Sequence, residues 1–367
     1  MMKKIVLLLT VMCLQSCHIG RMIRYYKADI DDHKIFPYTE VNKGNETFYF
    51  KDGTNSELAK RITNISFTEK GKDYVIDDYL DKETETTAFM VIKNDSILYE
   101  KYYEGYKRDS ISNIFSVSKS VTSLLMGIAI DEQIIESVNN PITKYIPELS
   151  KANKTFDKLT IEHLLNMRSG LKFSETYSNP FDEVSKLYYG KNQIKQISKL
   201  EFIHEPGTFH DYQSVCTTLL GIAIERASGK QLGKYLEEKL WKPLQMENNA
   251  TWSLDDMVRK NTKAFCCLNT TAIDLAKLAR LVLNKGKFNG KQIVSDKWVE
   301  KLTKANKTND CYQYQWYSYE CSDDYYALGI LGQIVYIVPN EDLIIIRLGK
   351  SSDKMFLSEI KDVVSNN

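Results

Sequence analysis

The sequence predicts an α+β fold: an antiparallel sheet flanked by helices, an all-helical second domain, and a cleft between them. Two observations point there. Strand-like runs occur near both ends of the chain, and a string of helix-like segments fills the interval between them. With 367 residues, the chain has room for one large or two ordinary domains, each burying its own core.

In chain order, residues 88–92 (AFMVI), the polar break 93–96 (KNDS) and residues 97–103 (ILYEKYY) read as an antiparallel hairpin. Residues 116–130 (SVSKSVTSLLMGIAI) are apolar on every side, so they read as a buried helix entered from the loop 104–113. Helices follow at 161–167, 213–227, 232–240 and 272–284, the last opened by Thr271-Ala-Ile-Asp274, a capping-box pattern. Asn289-Gly290 marks a tight turn. Near the C-terminus, 333–338 (QIVYIV) and 343–347 (LIIIR) are strands joined by Pro339-Asn-Glu-Asp342, and a final helix starts at about Lys354.

Both ends therefore share one sheet. Residues 51–125 and 265–367 form a discontinuous sheet domain and 126–264 the helical domain, with the site expected in the cleft at their junction. Residues 17–50 are polar and non-periodic, and read as a tether followed by a packing arm.

Forty-nine Lys and Arg against 48 Asp and Glu give a net charge of +1, which leaves no global basic field for nucleic acid. The N-terminal MMKKIVLLLTVMCLQSC has two lysines, an apolar run and Ser16 directly before Cys17, the layout of a secretory signal over residues 1–16. The run is too short to span a bilayer in the mature protein. Leu14-Gln-Ser-Cys17 resembles the lipobox of bacterial lipoproteins. That resemblance implies an exported cell-envelope lipoprotein anchored to the membrane through a lipid on Cys17. With Cys17 lipidated and Cys13 removed, five cysteines remain, so at least one thiol stays unpaired. Cys311 and Cys321 flank a Tyr-rich segment that a disulfide between them would clip.

Several chemistries are missing. No two glycines are separated by one residue, no P-loop occurs, G-x-S-x-G is absent, and His204-Glu205 is not followed by a second histidine at the zincin spacing. C-x-x-C is absent too, so neither a metal nor an organic cofactor is expected.

What the sequence offers is Ser116-Val-Ser-Lys119, a hydroxyl and an amine one helical turn apart on one face. A serine at a helix start also presents its own N–H to a developing oxyanion, and a desolvated lysine can take the serine proton. Ser169, Ser351 and Ser358 have the same lysine spacing, but Ser116 alone opens a long apolar helix after a sheet hairpin. His210 is the rival base.

Residues 115–120 (FSVSKS), 140–148 (NPITKYIPE), 160–171 (TIEHLLNMRSGL) and 206–214 (PGTFHDYQS) resemble the serine β-lactamase and penicillin-binding-protein superfamily, in its class C-like esterase and amidase branch. The resemblance runs from about residue 88 to 348 and implies a β-lactamase/transpeptidase-like fold. By it, Tyr212 is the partner tyrosine that passes a proton to the leaving group. Ser214 is the polar residue two positions on that helps fix Lys119, and Ile330 lends the second oxyanion N–H beside that of Ser116. Ser214 in place of the usual Asn, and residues 329–333 (GILGQ), are similar to 6-aminohexanoate-dimer (nylon-oligomer) hydrolases. The Lys-Thr-Gly triplet that grips penicillin carboxylates is not found in 325–332. Gln213, Gly329 and Gln333, with Trp316 and Tyr317 from the Tyr-rich segment, are placed in the substrate pocket. Alternation through Tyr312, Tyr314 and Trp316 equally suits a half-buried strand.

These readings imply an exported serine hydrolase that cleaves a small-molecule or peptide ester or amide through a Ser116 acyl-enzyme. The alternatives are a D,D-peptidase or β-lactamase acting on cell-wall peptides or penicillins, and a non-catalytic lipoprotein that binds a ligand in the cleft.

Overall fold

The computed structural model describes residues 18–25, 27–177, 179, 181–304, 309–352 and 356–365. The signal-like run, Cys17 and Lys354 lie outside the described residues. Among those described, no helix is long and apolar enough to cross a membrane.

The main sheet has eight strands drawn from both ends of the chain. Their spatial order is Tyr312–Gln313, Trp316–Ser318, Tyr325–Gly329, Gln333–Val338, Leu343–Gly349, Thr86–Lys93, Ser96–Tyr102 and Lys51–Asp52. The Thr86–Lys93 and Ser96–Tyr102 pair turns through Asn94 and Asp95, both left-handed (φ 50° and 57°), the backbone that a two-residue hairpin favours and that Asn and Asp tolerate. The central strands are buried along their whole length because both faces are covered. Ala88, Met90 and Ile92 point into the large core, while Phe89 and Val91 point into a second cluster under the Glu57–Thr63, Ile76–Lys82 and C-terminal Leu357–Ser365 helices. That is the period-two alternation of a sheet with an apolar layer on each side.

The stretch read as a tether and packing arm is more ordered than expected. It holds helix α1 (His18–Tyr25) and a strand, Tyr38–Val41. That strand pairs with Ala250–Ser253, which pairs with Leu268–Thr270 and through it with Ser112–Asn113. The interval 126–264, expected to be all helical, therefore contributes a strand to a second, four-stranded sheet.

Helix α2 (Val117–Asp131) is buried without a break from Val117 to Ala129. An added Cβ at Gly127 would strike the Trp298 indole, so only glycine permits that close approach. Helices α3 (Glu183–Tyr189) and α4 (Ser214–Ser228) follow, and α4 packs against α2. The expected helix at 232–240 is α-helical over Leu232–Leu236 and continues as one π turn, Glu237–Trp241. Helix α5 (Ala272–Leu283) has Thr271 as its N-cap, accepting from the Asp274 N–H at 3.3 Å. The return half of the expected box is spent elsewhere, because the Asp274 carboxylate accepts from the N–H groups of Glu247 and Asn248.

The Tyr-rich segment is a hairpin rather than one alternating strand. Tyr314 and Gln315 (φ 47° and 69°) turn the chain between Tyr312–Gln313 and Trp316–Ser318. The buried Gln315 amide donates to the carbonyls of Leu164 and Leu165 and accepts from Thr217, bonds that pull the turn inward. A Cys311–Cys321 disulfide closes this hairpin, a second disulfide joins the neighbours Cys266 and Cys267, and Cys216 is a buried free thiol.

Candidate active site

Ser116 projects from a bent turn. Phe115, just before it, has φ +45°, a strained value for a bulky residue, held by a Phe115 N–H bond to the Asn113 side chain at 2.9 Å. Ser116 occupies the N-cap of α2 in a helical conformation, and its hydroxyl makes no capping bond. It is partly exposed between buried neighbours, so the oxygen is available to the cleft.

Lys119 follows one turn later and is 1% exposed. Its Nζ lies 2.8 Å from Ser116 Oγ and donates to the Phe265 carbonyl at 3.0 Å. Burial lowers its pKa to about 8, against an opposing pull from the Glu175 carboxylate. About a tenth of the amine is therefore neutral at pH 7, free to accept a proton from the serine.

Tyr212 comes from the loop before α4. The Lys119 amine sits 4.9 Å from the centre of its ring. Burial keeps its pKa above the ordinary phenol range, so it stays protonated and able to donate. Gln213 fixes this loop instead of lining a pocket: it is 1% exposed, accepts from Ser169 at 2.6 Å and donates to the Leu171 carbonyl at 2.8 Å. His210 is bonded to Asp310 at 3.0 Å and packs on the Tyr312 ring, which engages it away from Ser116.

The expectation that Ser214 fixes Lys119 is corrected by its bonds. Its hydroxyl and its N–H both donate to the carboxylate of Glu175, the latter at 2.8 Å. Glu175 itself escaped the sequence reading. It stands in the loop between Leu171 and α3, where no spacing pattern marks a lone carboxylate.

On the opposite wall, the Tyr325–Gly329 strand runs beside the serine turn. A Cβ on Gly329 would sit 2.6 Å from the Ile114 carbonyl, so glycine is needed for that approach. Ile330 comes next, and among the described residues neither its N–H nor that of Ser116 donates to a loop, turn or cap carbonyl. Gln333 is fully buried, and its amide donates to the Gly349 carbonyl at 2.5 Å and accepts from the Gly349 N–H. Trp316 is 4% exposed and packs edge-on against Tyr325. Neither lines the cleft, because the hairpin turns Trp316 inward and the Gln333 amide satisfies backbone. Tyr317 does reach it: partly exposed, it stacks against Tyr212 on one side and Tyr326 on the other, with centroids 6.3 and 5.1 Å away. Among the described residues, no group of three or more His, Cys, Asp or Glu side chains is placed to hold a metal ion.

A hydroxyl, a partly neutral amine and a phenol thus meet at the start of a buried helix beside a sheet edge. A family model for beta-lactamases matches residues 73–361. The chain belongs to the beta-lactamase family. This beta-lactamase-family chain is 28% identical over 301 residues to the 6-aminohexanoate-dimer hydrolase of Paenarthrobacter ureafaciens, covering 74% of each chain. It is 22% identical over 283 residues to an N-acetylmuramyl-L-alanine amidase of Bacillus subtilis, covering 62% of this chain and 64% of the relative. Among solved structures, it resembles a Bacillus anthracis protein assigned as a 6-aminohexanoate-dimer hydrolase, with TM-score 0.78, 23% identity, and 92% and 90% of the two chains covered. The family fixes the coarse activity: this beta-lactamase-family protein is an enzyme, a hydrolase with a β-lactamase/transpeptidase-like α+β fold.

Proposed function

We propose that the protein is an exported serine hydrolase that cleaves an ester or amide bond through an acyl-enzyme on Ser116. The observation that carries this reading is the meeting of Ser116, Lys119 and Tyr212: Nζ is 2.8 Å from Oγ and 4.9 Å from the centre of the Tyr212 ring.

Neutral Lys119 removes the Ser116 proton as Oγ bonds to the substrate carbonyl carbon. The oxyanion that forms is held by the N–H groups of Ser116 and Ile330. Tyr212 donates its proton to the leaving alkoxide or amide nitrogen as the carbon–heteroatom bond breaks, and recovers one from Lys119. Water then adds to the acyl carbon by the same steps in reverse, releasing the acid and restoring the Ser116 hydroxyl. The aromatic wall of Tyr317 and Tyr326 suits an apolar or planar acyl segment. The similarity to a 6-aminohexanoate-dimer hydrolase supports small linear amides as substrates.

The leader-like residues 1–16 and the lipobox-like Cys17 support export and lipid anchoring in the bacterial envelope. Radiolabelled palmitate should enter the wild-type protein and not Cys17→Ser.

The decisive experiment is incubation with a fluorophosphonate probe followed by peptide mapping. The label is expected on Ser116 and lost in Ser116→Ala, together with hydrolysis of p-nitrophenyl esters. Unchanged labelling of Ser116→Ala would overturn the reading.

A further inference from the structure

The Ser214 hydroxyl, by its place in the motif the neighbour of Lys119, is spent on a different partner. Glu175 takes both donors of Ser214, its N–H on Oε2 at 2.8 Å and its hydroxyl on Oε1. The loop carrying Glu175 is tied down on both sides: before it, the Ser174 N–H donates to the Glu183 carboxylate at 3.1 Å, and after it, the Ser185 hydroxyl donates to the Tyr177 carbonyl at 3.4 Å. A carboxylate is therefore held against the first residue of α4, two positions after Tyr212, where its charge acts on the amine of Lys119.

We propose that Glu175 is a positioning residue for the Ser116–Lys119 pair: its carboxylate pins the Tyr212–Ser214 turn and offers a countercharge to the Lys119 amine. The inference rests on the Ser116 acyl-enzyme reading and assigns Glu175 no contact with the reacting atoms. It also accounts for the chain's Ser at position 214. A short hydroxyl there leaves room for a carboxylate behind it, and the pair performs the work of one longer polar side chain.

Charge around the amine is simple to account for. Facing Lys119 are Ser116 on its own helix, Tyr212 from the loop, Cys216 on α4, the Phe265 carbonyl, and Glu175. Burial pushes Cys216 up to about 12 and holds Tyr212 protonated, which leaves Glu175 as the countercharge. Around Glu175 lie Lys119, Ser214, Tyr177, Tyr212, Tyr312, Tyr317 and the like-charged Asp211. Burial raises the Glu175 pKa, and Lys119 and the two Ser214 donors pull it back. Removing the negative charge withdraws support from the ammonium, so the lysine loses its proton at lower pH.

The test is the pH profile of kcat/KM for p-nitrophenyl ester hydrolysis by Glu175→Gln and Glu175→Asp, beside fluorophosphonate mapping of both. Glu175→Gln should keep its label on Ser116 while the acid limb moves down by roughly one pH unit. Glu175→Asp, which keeps the charge, should return the limb to the wild-type position. A Glu175→Gln limb that superimposes on wild type overturns the proposal, as does a shift shared equally by Glu175→Asp. Loss of the Ser116 label from wild type is the separate outcome that removes the acyl-enzyme reading beneath it. Should Glu175→Gln not fold, Glu175→Ala is read by the same criterion, because it also removes the charge.

Discussion

Lys119 and Lys263 lose their water in the same way and end up with different work. They are 1% and 0% exposed, and burial lowers the first to about 8 and the second to about 7. They even flank one segment. Lys263 ties it to the last turn of α3 by donating to the carbonyls of Leu187 (3.1 Å) and Tyr188 (2.6 Å), and Phe265, two residues on, offers its carbonyl to Lys119. The difference lies in the remaining neighbour. Lys119 meets a hydroxyl that opens to the cleft, whereas Lys263 lies over the closed ring of Phe36, 4.7 Å from its centre. A depressed amine alone does not make a base, since structural networks lower lysines too. It needs a proton to take and an opening through which substrate can use the result.

Replacing each amine with a thioether separates the two roles. Lys119→Met should lower kcat/KM for a p-nitrophenyl ester by roughly 10³-fold, the scale of a lost general base. Lys263→Met should leave kcat/KM within about threefold, a loss too small for a group acting in the transition state. It should instead cost about 1–3 kcal/mol in urea unfolding, because two carbonyls at a helix end lose their donor. Comparable losses of activity in two equally folded variants would erase the distinction.

The same comparison can be sharpened with pH. Wild-type kcat/KM should rise with pH through about 8, where Lys119 becomes neutral, and at pH 6 lie about 100-fold below its plateau. Lys263→Met should share that limb. Stability should respond to both lysines. Below the ordinary lysine value of 10.5, an unfolded chain binds protons that the native amines refuse down to about 8 and about 7. Stability therefore falls as pH drops through this window and levels off below about 7. Urea midpoints at pH 7 and 9.5 should differ less in Lys263→Met than in wild type.

How much of this was legible beforehand depends on the range of the signal. The 88–103 hairpin and the buried α2 announce themselves by local alternation and by an unbroken apolar run, so both were readable. Tyr38–Val41 is a four-residue strand whose partner, Ala250–Ser253, lies some two hundred positions away, and nothing in its own pattern names that partner. Tyr312, Tyr314 and Trp316 alternate as a strand would, yet the amide of Gln315 found buried partners and bent them into a hairpin. In the site, Ser116, Lys119 and Tyr212 sit in recognisable patterns, and folding brings the Lys119 amine to the Ser116 hydroxyl and over the Tyr212 ring. Gln213 and Gln333 share those patterns, but their amides satisfy backbone groups instead of facing the cleft. Glu175 had no pattern at all: a carboxylate in a loop becomes meaningful only when folding sets it behind Ser214.

The smallest expected effect concerns the segment that joins the two lysines. Cys266 and Cys267, bridged to each other, directly follow the Phe265 carbonyl on which Lys119 rests. The backbone there has independent supports. The Trp252 indole donates to the carbonyls of Lys263 and Cys266, the Cys266 N–H bonds to the Lys263 carbonyl, and the Ser253 N–H bonds to the Cys267 carbonyl. With those bonds in place, the sulfur bridge adds little to the position of Phe265. Cys266→Ala/Cys267→Ala should therefore keep kcat within about twofold and leave the acid limb where it was. A loss beyond about tenfold, or a displaced limb, would mean that the bridge itself sets the lysine. The contrast between Lys119 and Lys263 would then owe as much to this covalent clamp as to the hydroxyl in front of one of them.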